Sequence, residues 1–268
     1  MRLIIKKHKT MRKLLIPILF TAACLVSSCT IDAKKGYDGT KGDNNISNSL
    51  LDRVIASNKI VSENRKVGSF EGLDVAHATH VKITNSPANG EITISAPDNV
   101  IKQVETTVSG NILRIRVRKN LTLGNQKVEI IIPHQKIRNI KLSGASSIKA
   151  EHQIKVDEFK ADVTGASKLE FNVLSNKVNL VLSGASDVEM KGNAQDLKLE
   201  VSGASEFESK ELKVANAYVN VSGASKAYIW ATDLADVEAS GASSVLYKNV
   251  GGLNTKFDTS GASKIKSY

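Results

Sequence analysis

A four-residue phrase, Ser/Thr-Gly-Ala-Ser, recurs through the second half of this sequence and restricts its fold more than any other feature. The phrase occurs seven times, with steps of 21, 19, 19, 20, 18 and 20 residues. Its copies begin at Ser143, Thr164, Ser183, Ser202, Ser222, Ser240 and Ser260. A fixed period of about 20 residues is typical of a solenoid, in which each coil buries its apolar face against its neighbours. The sequence therefore predicts a repeat region over residues 139–268.

Apolar residues stand in fixed columns around each copy of the phrase. They occur three and one positions before it and five positions after its first residue, as Leu180, Leu182 and Val188 do around Ser183. Polar residues alternate with them, as expected for half-buried strands. Successive coils should then pair in parallel, about 4.8 Å apart. The predicted fold is all-β, a right-handed parallel β-helix, because such connections are nearly always right-handed.

The second position of the phrase is always glycine. A glycine column indicates either a turn with positive φ or a place where two strands approach too closely for a Cβ atom. The column consists of Gly144, Gly165, Gly184, Gly203, Gly223, Gly241 and Gly261. The serine columns beside it should form hydroxyl ladders between coils. A catalytic role is not predicted for them, since no histidine or acidic residue recurs beside them to activate a nucleophile.

A non-repeating, β-rich region is predicted before the repeats, over residues 65–138. Apolar and polar residues alternate there with period two, and Gly and Asn supply turn chemistry. Arg114, Arg116 and Arg118 fall on one face of one strand. They could form a basic stripe that contacts anionic polysaccharide or lipid headgroups. The commoner interpretation is a solvated outer face whose arginine stems cover apolar surface.

The beginning of the chain is typical of an export signal. Residues 1–28 hold six basic and no acidic residues, with an apolar run from Leu14 to Val26. The run ends in Leu-Val-Ser-Ser-Cys, which is similar to the lipobox of bacterial lipoproteins and makes Cys29 the expected lipidation site. An ordinary signal peptide is the alternative, and translation could start at Met1 or at the second methionine. Residues 29–64 are mostly polar and predict a flexible tether.

The excess positive charge belongs largely to this export signal. The whole chain has a net charge of +10, and removal of the six basic residues leaves 31 Lys and Arg against 27 Asp and Glu, a net charge of +4. A nucleic-acid partner is therefore not predicted. No cofactor or metal is predicted either. His77 and His80 are three residues apart, so they should face opposite sides of a strand and make a poor metal pair.

Two further features concern ligands and partners. Tyr228 and Trp230 have the outward parity of one strand, where they could stack on a sugar ring or a protein partner. Packing against a corner loop or the N-terminal region is the commoner alternative. The last coil could present open strand edges, which Lys264 and Lys266 would blunt or which would form a homo-oligomer contact.

The sequence resembles the auto-transporter adhesin family, also called the head GIN domain family. The resemblance rests on ENRKVGSFEGLDVAHATHVKIT, APDNVIKQVETTVSGNILRI and IIIPHQKIRNIKLSGASSIKA, followed by the repeated phrase, and covers residues 60–268. It implies a right-handed β-helical fold with a β-rich N-terminal portion. The family supplies no catalytic or ligand-binding residues that could be transferred to this chain.

Two functions remain open from the sequence. One is a non-enzymatic, lipid-anchored cell-envelope protein that displays a β-helical rod as an adhesin or scaffold. The other is a carbohydrate-binding or polysaccharide-processing envelope protein. Polysaccharide processing requires acidic residues with Lys or Arg in one groove, whereas we expect the charges to scatter around the coil. An outer-membrane lipoprotein is the predicted location, with the periplasmic or surface face left open.

Overall fold

The computed structural model of the protein describes residues 54–118, 121–134 and 136–268. They form strands, turns and one 3-10 helix, η1 (Ile101–Gln103). The strands are β1 (Val54–Ile55), β2 (Ile60–Lys66), β3 (Gly72–Val75), β4 (Thr79–Thr84), β5 (Glu91–Pro97), β6 (Val104–Ser109), β7 (Ile112–Val117), β8 (Leu121–Thr122), β9 (Val128–Pro133), β10 (Asn139–Leu142), β11 (Ser147–Lys155), β12 (Glu158–Val163), β13 (Lys168–Leu182), β14 (Asp187–Val201), β15 (Glu206–Val221), β16 (Lys226–Ala239), β17 (Ser244–Tyr247), β18 (Asn254–Thr259) and β19 (Lys264–Ser267). The predicted all-β fold is confirmed.

The strands of the repeat region wind into coils that stack in parallel. Strands β13, β14 and β15 are 15 or 16 residues long because each carries the end of one coil around a corner into the beginning of the next. Strand β13 pairs with β14 from Lys168 opposite Asp187 to Leu182 opposite Val201. Burial alternates along most of these strands. The prediction of a parallel β-helix, or β-solenoid, is therefore confirmed.

Each coil contributes one segment to each of the two sheets that flank the phrase, and several coils also pair through a corner segment: 153–155, 172–175, 191–194, 211–214 and 230–231. The pre-motif sheet holds the segments that lead into the phrase: 72–75, 139–142, 158–163, 177–182, 196–201, 216–221, 234–239 and 254–259. The post-motif sheet holds the segments that leave it: 79–84, 147–150, 168–171, 187–190, 206–209, 226–229, 244–247 and 264–267. Apolar side chains from both sheets form one hydrophobic core.

The phrase forms the turn between the two sheets, and its residues have separate roles. The glycine has φ between 71° and 80° in all seven copies. The following alanine donates its N–H to the glycine carbonyl of the preceding coil, at 2.8 Å between Ala166 and Gly144. The last serine is buried in every copy except Ser263, and the Ser186 hydroxyl lies 2.7 Å from the Ser183 carbonyl of its own coil and 3.3 Å from the Gly165 carbonyl of the preceding coil. The predicted serine contacts between coils thus run from hydroxyl groups to backbone carbonyls.

One further turn at the same place in the coil precedes the seven copies, although there two successive residues, His77 and Ala78, have positive φ. The segment 76–79, Ala-His-Ala-Thr, lies in register with the first copy of the phrase. His77 takes the glycine position with a φ of 65°, and its backbone N lies 3.1 Å from where a Cβ atom on Gly144 would stand. Thr79 replaces the last serine, is fully buried, and donates to the Ala76 carbonyl at 3.0 Å. The stack therefore extends beyond the sequence signature.

The N-terminal strands continue this stack. β3 pairs with β10 and β4 with β11, while on their other side β3 pairs with β7 and β4 with β9. Strands β2 and β6 add in antiparallel to β5 and β7. The regions predicted as 65–138 and 139–268 thus belong to one continuous stack of paired strands. Strand β2 begins at Ile60, inside the range 29–64 predicted as a tether, because its mostly polar sequence pairs with β5 through backbone hydrogen bonds.

A buried histidine connects the N-terminal strands with the first repeat coil. His134 follows β9, and its Nδ1 accepts the Lys136 N–H at 2.9 Å, so its Nε2 donates to the Phe70 carbonyl at 2.7 Å. Burial lowers the pKa of His134, although the Phe70 carbonyl and the Glu71 carboxylate act in the opposite direction. The neutral imidazole is therefore the form that fits this site.

We expect the free energy of unfolding to decrease as the pH falls below about 6.5. A histidine whose pKa is lower in the folded state stabilises the fold above its unfolded pKa, and this contribution is lost as the pH falls through that value. Burial also lowers the pKa values of His80 and His152. Urea unfolding of the wild type and of His134→Gln from about pH 5 to 8 measures the effect. The variant should depend less on pH, and identical slopes would contradict the assignment.

Candidate functional site

An open groove runs along the outer face of the pre-motif sheet. Its largest part has a volume of 550 Å³. The outward side chains that line this part are Val181, Lys198, Glu200, Tyr218, Asn220, Asp236 and Glu238. A hollow of 450 Å³ toward the N-terminus shares Val181 with it, and a smaller hollow toward the C-terminus shares Asn220 and Glu238. The three hollows therefore form one groove, which crosses several coils.

Strand alternation and register bring these residues together. Residues one and three positions before the phrase point into the core, so residues two and four positions before it point outward. In-register pairing aligns Lys198, Tyr218 and Asp236 in one column. A second column aligns Val181, Glu200, Asn220 and Glu238. Neighbours within a column are about 4.8 Å apart, so one ligand can contact several coils at once.

Tyr218 provides an exposed aromatic ring in the middle of this groove. Its exposed fraction is 44%, and that of Val181, two coils away, is 45%. Within the described ranges, Tyr228, Tyr247 and Tyr268 each contact another aromatic ring, whereas Tyr218 has no ring or cation partner. The Tyr218 ring is therefore available for stacking on a ligand.

Hydrogen-bonding groups surround the ring of Tyr218. The Glu238 carboxylate accepts one hydrogen bond from Asn220 Nδ2 at 3.2 Å, which leaves further acceptor positions on both groups. Glu200 lies 3.0 Å from Lys198 Nζ, at the surface. At the groove edge, the Ser202 hydroxyl donates to the Leu182 carbonyl at 3.3 Å and keeps its lone pairs for a ligand donor. The groove thus offers many acceptors beside one apolar surface.

The charge along the groove changes sign from one end to the other. The N-terminal hollow is lined by the basic residues Arg114, Lys141 and Lys160 and the acidic residues Asp74 and Asp162. The central and C-terminal hollows are lined by the acidic residues Glu200, Asp236, Glu238 and Asp258 and the basic residue Lys198. The expectation that charges scatter around the coil is wrong for this stretch, because the two outward columns hold these carboxylates on one face, with Glu238 directly beside Asp258.

The family of the chain is evident from its match to a family model. Residues 69–251 match the family described as "Putative auto-transporter adhesin, head GIN domain". The match spans more than half of the chain and includes the coils that form the groove. The chain belongs to this family. The resemblance noted from the sequence is thereby confirmed.

Solved structures share the fold of this head GIN domain protein. A crystal structure of a putative adhesin from Bacteroides fragilis has a TM-score of 0.73 and 22% identity, and the match covers 80% of this chain and all of that one. A putative adhesin from Parabacteroides distasonis has a TM-score of 0.64 and 16% identity, over 81% of this chain and 100% of that one. A putative lipid binding protein from the same organism has a TM-score of 0.61 and 14% identity, over 81% and 99%. No curated protein matches the chain.

In this head GIN domain protein, Tyr228 lies on the post-motif sheet and Trp230 on the corner segment that follows it, and neither lines the groove. Lys210 Nζ and Lys226 Nζ stand 4.3 and 4.5 Å from the centre of the Tyr228 ring. Lys248 Nζ stands 3.6 Å from the centre of the Trp230 ring. Lysine ammonium groups thus contact the surfaces that a ligand would use. A ligand role for these two residues stays a prediction, and the structure offers Tyr218 as the more accessible ring.

The three arginines singled out in the sequence are each paired with an acidic residue. Arg116 Nη2 lies 2.6 Å and Arg114 Nε 3.8 Å from the Asp74 carboxylate. Arg118 Nε lies 2.7 Å from Glu105. Only Arg114 lines the groove, at its N-terminal end. These pairs favour the solvated outer face over a free basic stripe, since the arginine charges are compensated within the fold.

One serine of the head GIN domain protein contacts a histidine. Ser147 Oγ, which directly follows the first copy of the phrase, lies 2.7 Å from His80 Nδ1. Burial lowers the pKa of His80, whereas Glu129, in register beside it, acts in the opposite direction. Ser147 contacts His80 through Nδ1, the nitrogen that binds the carboxylate in a serine-protease triad, and Ser147 lines none of the hollows described above, so the geometry of the pair differs from that of such a triad.

Among the described residues, no group of three or more His, Cys, Asp or Glu side chains is arranged to hold a metal ion. No described helix is long and apolar enough to cross a membrane. The predicted lipidation site, Cys29, lies outside the described residues.

Proposed function

We propose that the protein is a lipid-anchored, non-enzymatic adhesin of the cell envelope that binds its partner along the groove of the pre-motif sheet. One observation carries the proposal: a groove that crosses several coils presents the exposed ring of Tyr218 among unoccupied hydrogen-bond acceptors. A rigid stack of coils suits adhesion, because it holds these contacts in place before the partner arrives and so reduces the entropy lost on binding. Membership of an adhesin family supports the same function.

The lipid anchor is tested by replacing the predicted lipidation site. Wild-type full-length protein should be recovered mainly in the membrane fraction of a bacterial host that processes lipoproteins. In cells fed labelled palmitate, the wild type should carry the label and Cys29→Ala should not, because the thiol that would hold the lipid is gone. Cys24→Ala, at the other cysteine of the export signal and the weaker lipidation candidate, is the matched control and should keep both the label and the membrane location. Labelled Cys29→Ala protein would contradict the anchor at this residue.

Adhesion is tested with the full chain displayed on cells. Non-adherent bacteria that display the protein should bind surfaces coated with glycoproteins more strongly than the same cells without it. Cells that display an unrelated lipoprotein at the same level serve as the control. Equal retention of the two cell types on glycoprotein-coated and on protein-coated surfaces would overturn the adhesin proposal.

Polysaccharide processing is the second candidate function, because Lys198, Glu200, Asp236 and Glu238 share the groove. Paired carboxylates can act as acid and base in glycoside hydrolysis. Here Glu200 lies beside Lys198, Asp236 lies 3.0 Å from Lys256 Nζ, and Glu238 accepts from Asn220. We expect no release of reducing ends when the protein is incubated with polysaccharides. Release that disappears in Glu238→Gln would establish an enzyme instead.

A further inference from the structure

The groove has three properties that together select the chemistry of its ligand. It is long and open, so it fits an extended polymer better than a small molecule. It holds an exposed ring, that of Tyr218, together with the exposed side chain of Val181. It is rich in carboxylate, amide and hydroxyl oxygen atoms, which call for a ligand with many hydrogen-bond donors.

The charges of the groove exclude several polymers. Carboxylates outnumber lysines around Tyr218. Glu200 pairs with Lys198 and Asp236 with Lys256, which leaves the Glu238 carboxylate without a lysine partner among the described residues. An anionic polymer such as a nucleic acid or a uronic-acid polysaccharide would meet like charge there. A strongly cationic peptide would in turn meet Lys141 and Lys160 at the N-terminal end, where basic residues outnumber the acidic ones by three to two. An uncharged polymer avoids both conflicts.

We infer that the groove binds an extended, neutral polysaccharide lengthwise, with Tyr218 as its stacking platform; this rests on the adhesin function proposed above. A sugar ring has an apolar C–H face and a rim of hydroxyl groups, which match the Tyr218 ring and the surrounding oxygen atoms. Successive coils are about 4.8 Å apart, which is close to the advance of one sugar unit in an extended chain. The columns can therefore meet successive sugar units with the same kind of contact.

The Lys198–Tyr218–Asp236 column can contact both the apolar face and the hydroxyl groups of one sugar ring. Tyr218 pairs in register with Lys198 on one side and with Asp236 on the other. Asn220 lies two residues further along the Tyr218 strand and aligns with Glu200 and Glu238. A ring that stacks on Tyr218 thus has charged and amide groups along its rim, where they can exchange hydrogen bonds with hydroxyl groups.

Titration calorimetry of the full-length protein tests the inference. The probes are neutral hexasaccharides from mannan, β-glucan and chitin, with hexagalacturonate, a heparin fragment and octalysine as charged competitors. At least one neutral hexasaccharide should bind, and its disaccharide should bind about tenfold more weakly or worse, because it contacts fewer coils. Binding only to an anionic glycan, only to octalysine, or to none of the probes would overturn the inference.

Tyr218→Ala should weaken binding of the neutral hexasaccharide by about tenfold or more, because the stacking surface is lost. Tyr218→Phe should stay within about threefold of the wild type, because it keeps the ring. Tyr228→Ala is the matched control on the post-motif sheet and should bind like the wild type. Unchanged melting temperatures would show that all three variants are folded. If Tyr218→Ala and the wild type bound the hexasaccharide equally, the ligand would not stack on Tyr218, and the inference would be overturned.

The two proposals fail in different ways. Displayed protein that adheres to glycoprotein surfaces but binds no neutral hexasaccharide would leave the adhesin function standing and overturn the ligand class. Absence of both adhesion and binding would overturn both. Binding of a neutral hexasaccharide by the purified protein without adhesion by displaying cells would support the groove and contradict the adhesin function.

Discussion

Replacement of Gly203 by Val should lower the free energy of unfolding by about 4 kcal/mol. The Gly203 backbone has a φ of 77°, which a β-branched residue adopts only under strain. A Cβ atom there would also lie 2.4 Å from the carbonyl oxygen of Gly184, in the coil below. That carbonyl accepts the Ala204 N–H at 2.7 Å, so it cannot move away without loss of a cross-coil hydrogen bond.

A valine at Gly252 distinguishes the two causes of this loss of stability, which are backbone strain at positive φ and close contact with the neighbouring coil. Its φ of 83° is equally unfavourable for valine, but a Cβ atom there would meet no atom within 4 Å. Gly252→Val should therefore cost about 2 kcal/mol, from backbone strain alone. Urea unfolding followed by circular dichroism compares the two variants. Equal losses would show that close contact between coils is not what requires the glycine column.

Replacement of Phe207 by Ala should lower the free energy of unfolding by about 4 kcal/mol, mainly because it leaves a cavity in the core. Phe207 is fully buried and stands in register between Val188 and Ala227. The small side chain of Ala227 lies in the next coil of the same column, so Phe207 fills space that its neighbour leaves. Neither neighbour can extend into the vacated volume without a change of rotamer or backbone.

Phe257 is the matched control for this prediction. It lies in the pre-motif sheet of the last repeat coil, is 37% exposed, and packs against Tyr247 with ring centres 5.0 Å apart. Phe257→Ala should cost roughly 1 kcal/mol, because much less apolar surface returns to water. Urea unfolding midpoints of the two variants show whether the stability loss depends on burial of the ring. A loss for Phe257→Ala as large as that for Phe207→Ala would mean that the last coil is as tightly packed as the middle of the stack.

The regular part of the fold could be predicted from the sequence because its causes are local or periodic. Positive φ favours glycine at one position of each turn, as at Gly203, and alternation of apolar residues marks both sheets. The turn around His77 was not predicted, because neither His77 nor Thr79 matches the phrase. Segment 76–79 has two alanines and precedes an alternating strand, but a single divergent copy cannot be recognised without the strand register that the structure supplies.

The candidate site could be predicted only in part. The sequence-based prediction named Tyr228 and Trp230 and missed Tyr218, although parity places both tyrosines outward on their strands. The structure separates them, because lysines from the same and adjacent coils approach Tyr228, whereas Tyr218 faces the groove. The ion pair between Arg116 and Asp74 could not be predicted from the sequence either. These residues are distant in sequence and meet only because β7 lies beside β3.

The sequence by itself determined that this chain is a β-solenoid whose seven repeat coils each turn at a glycine and carry a serine beside that turn. These features depend on backbone conformation and on neighbours at a fixed period, both of which can be read from the order of residues. The tertiary structure alone decided the order of the N-terminal coils, which charges are compensated, and which aromatic ring stays accessible. Those properties depend on contacts between side chains from different coils, which exist only after the coils have stacked in register.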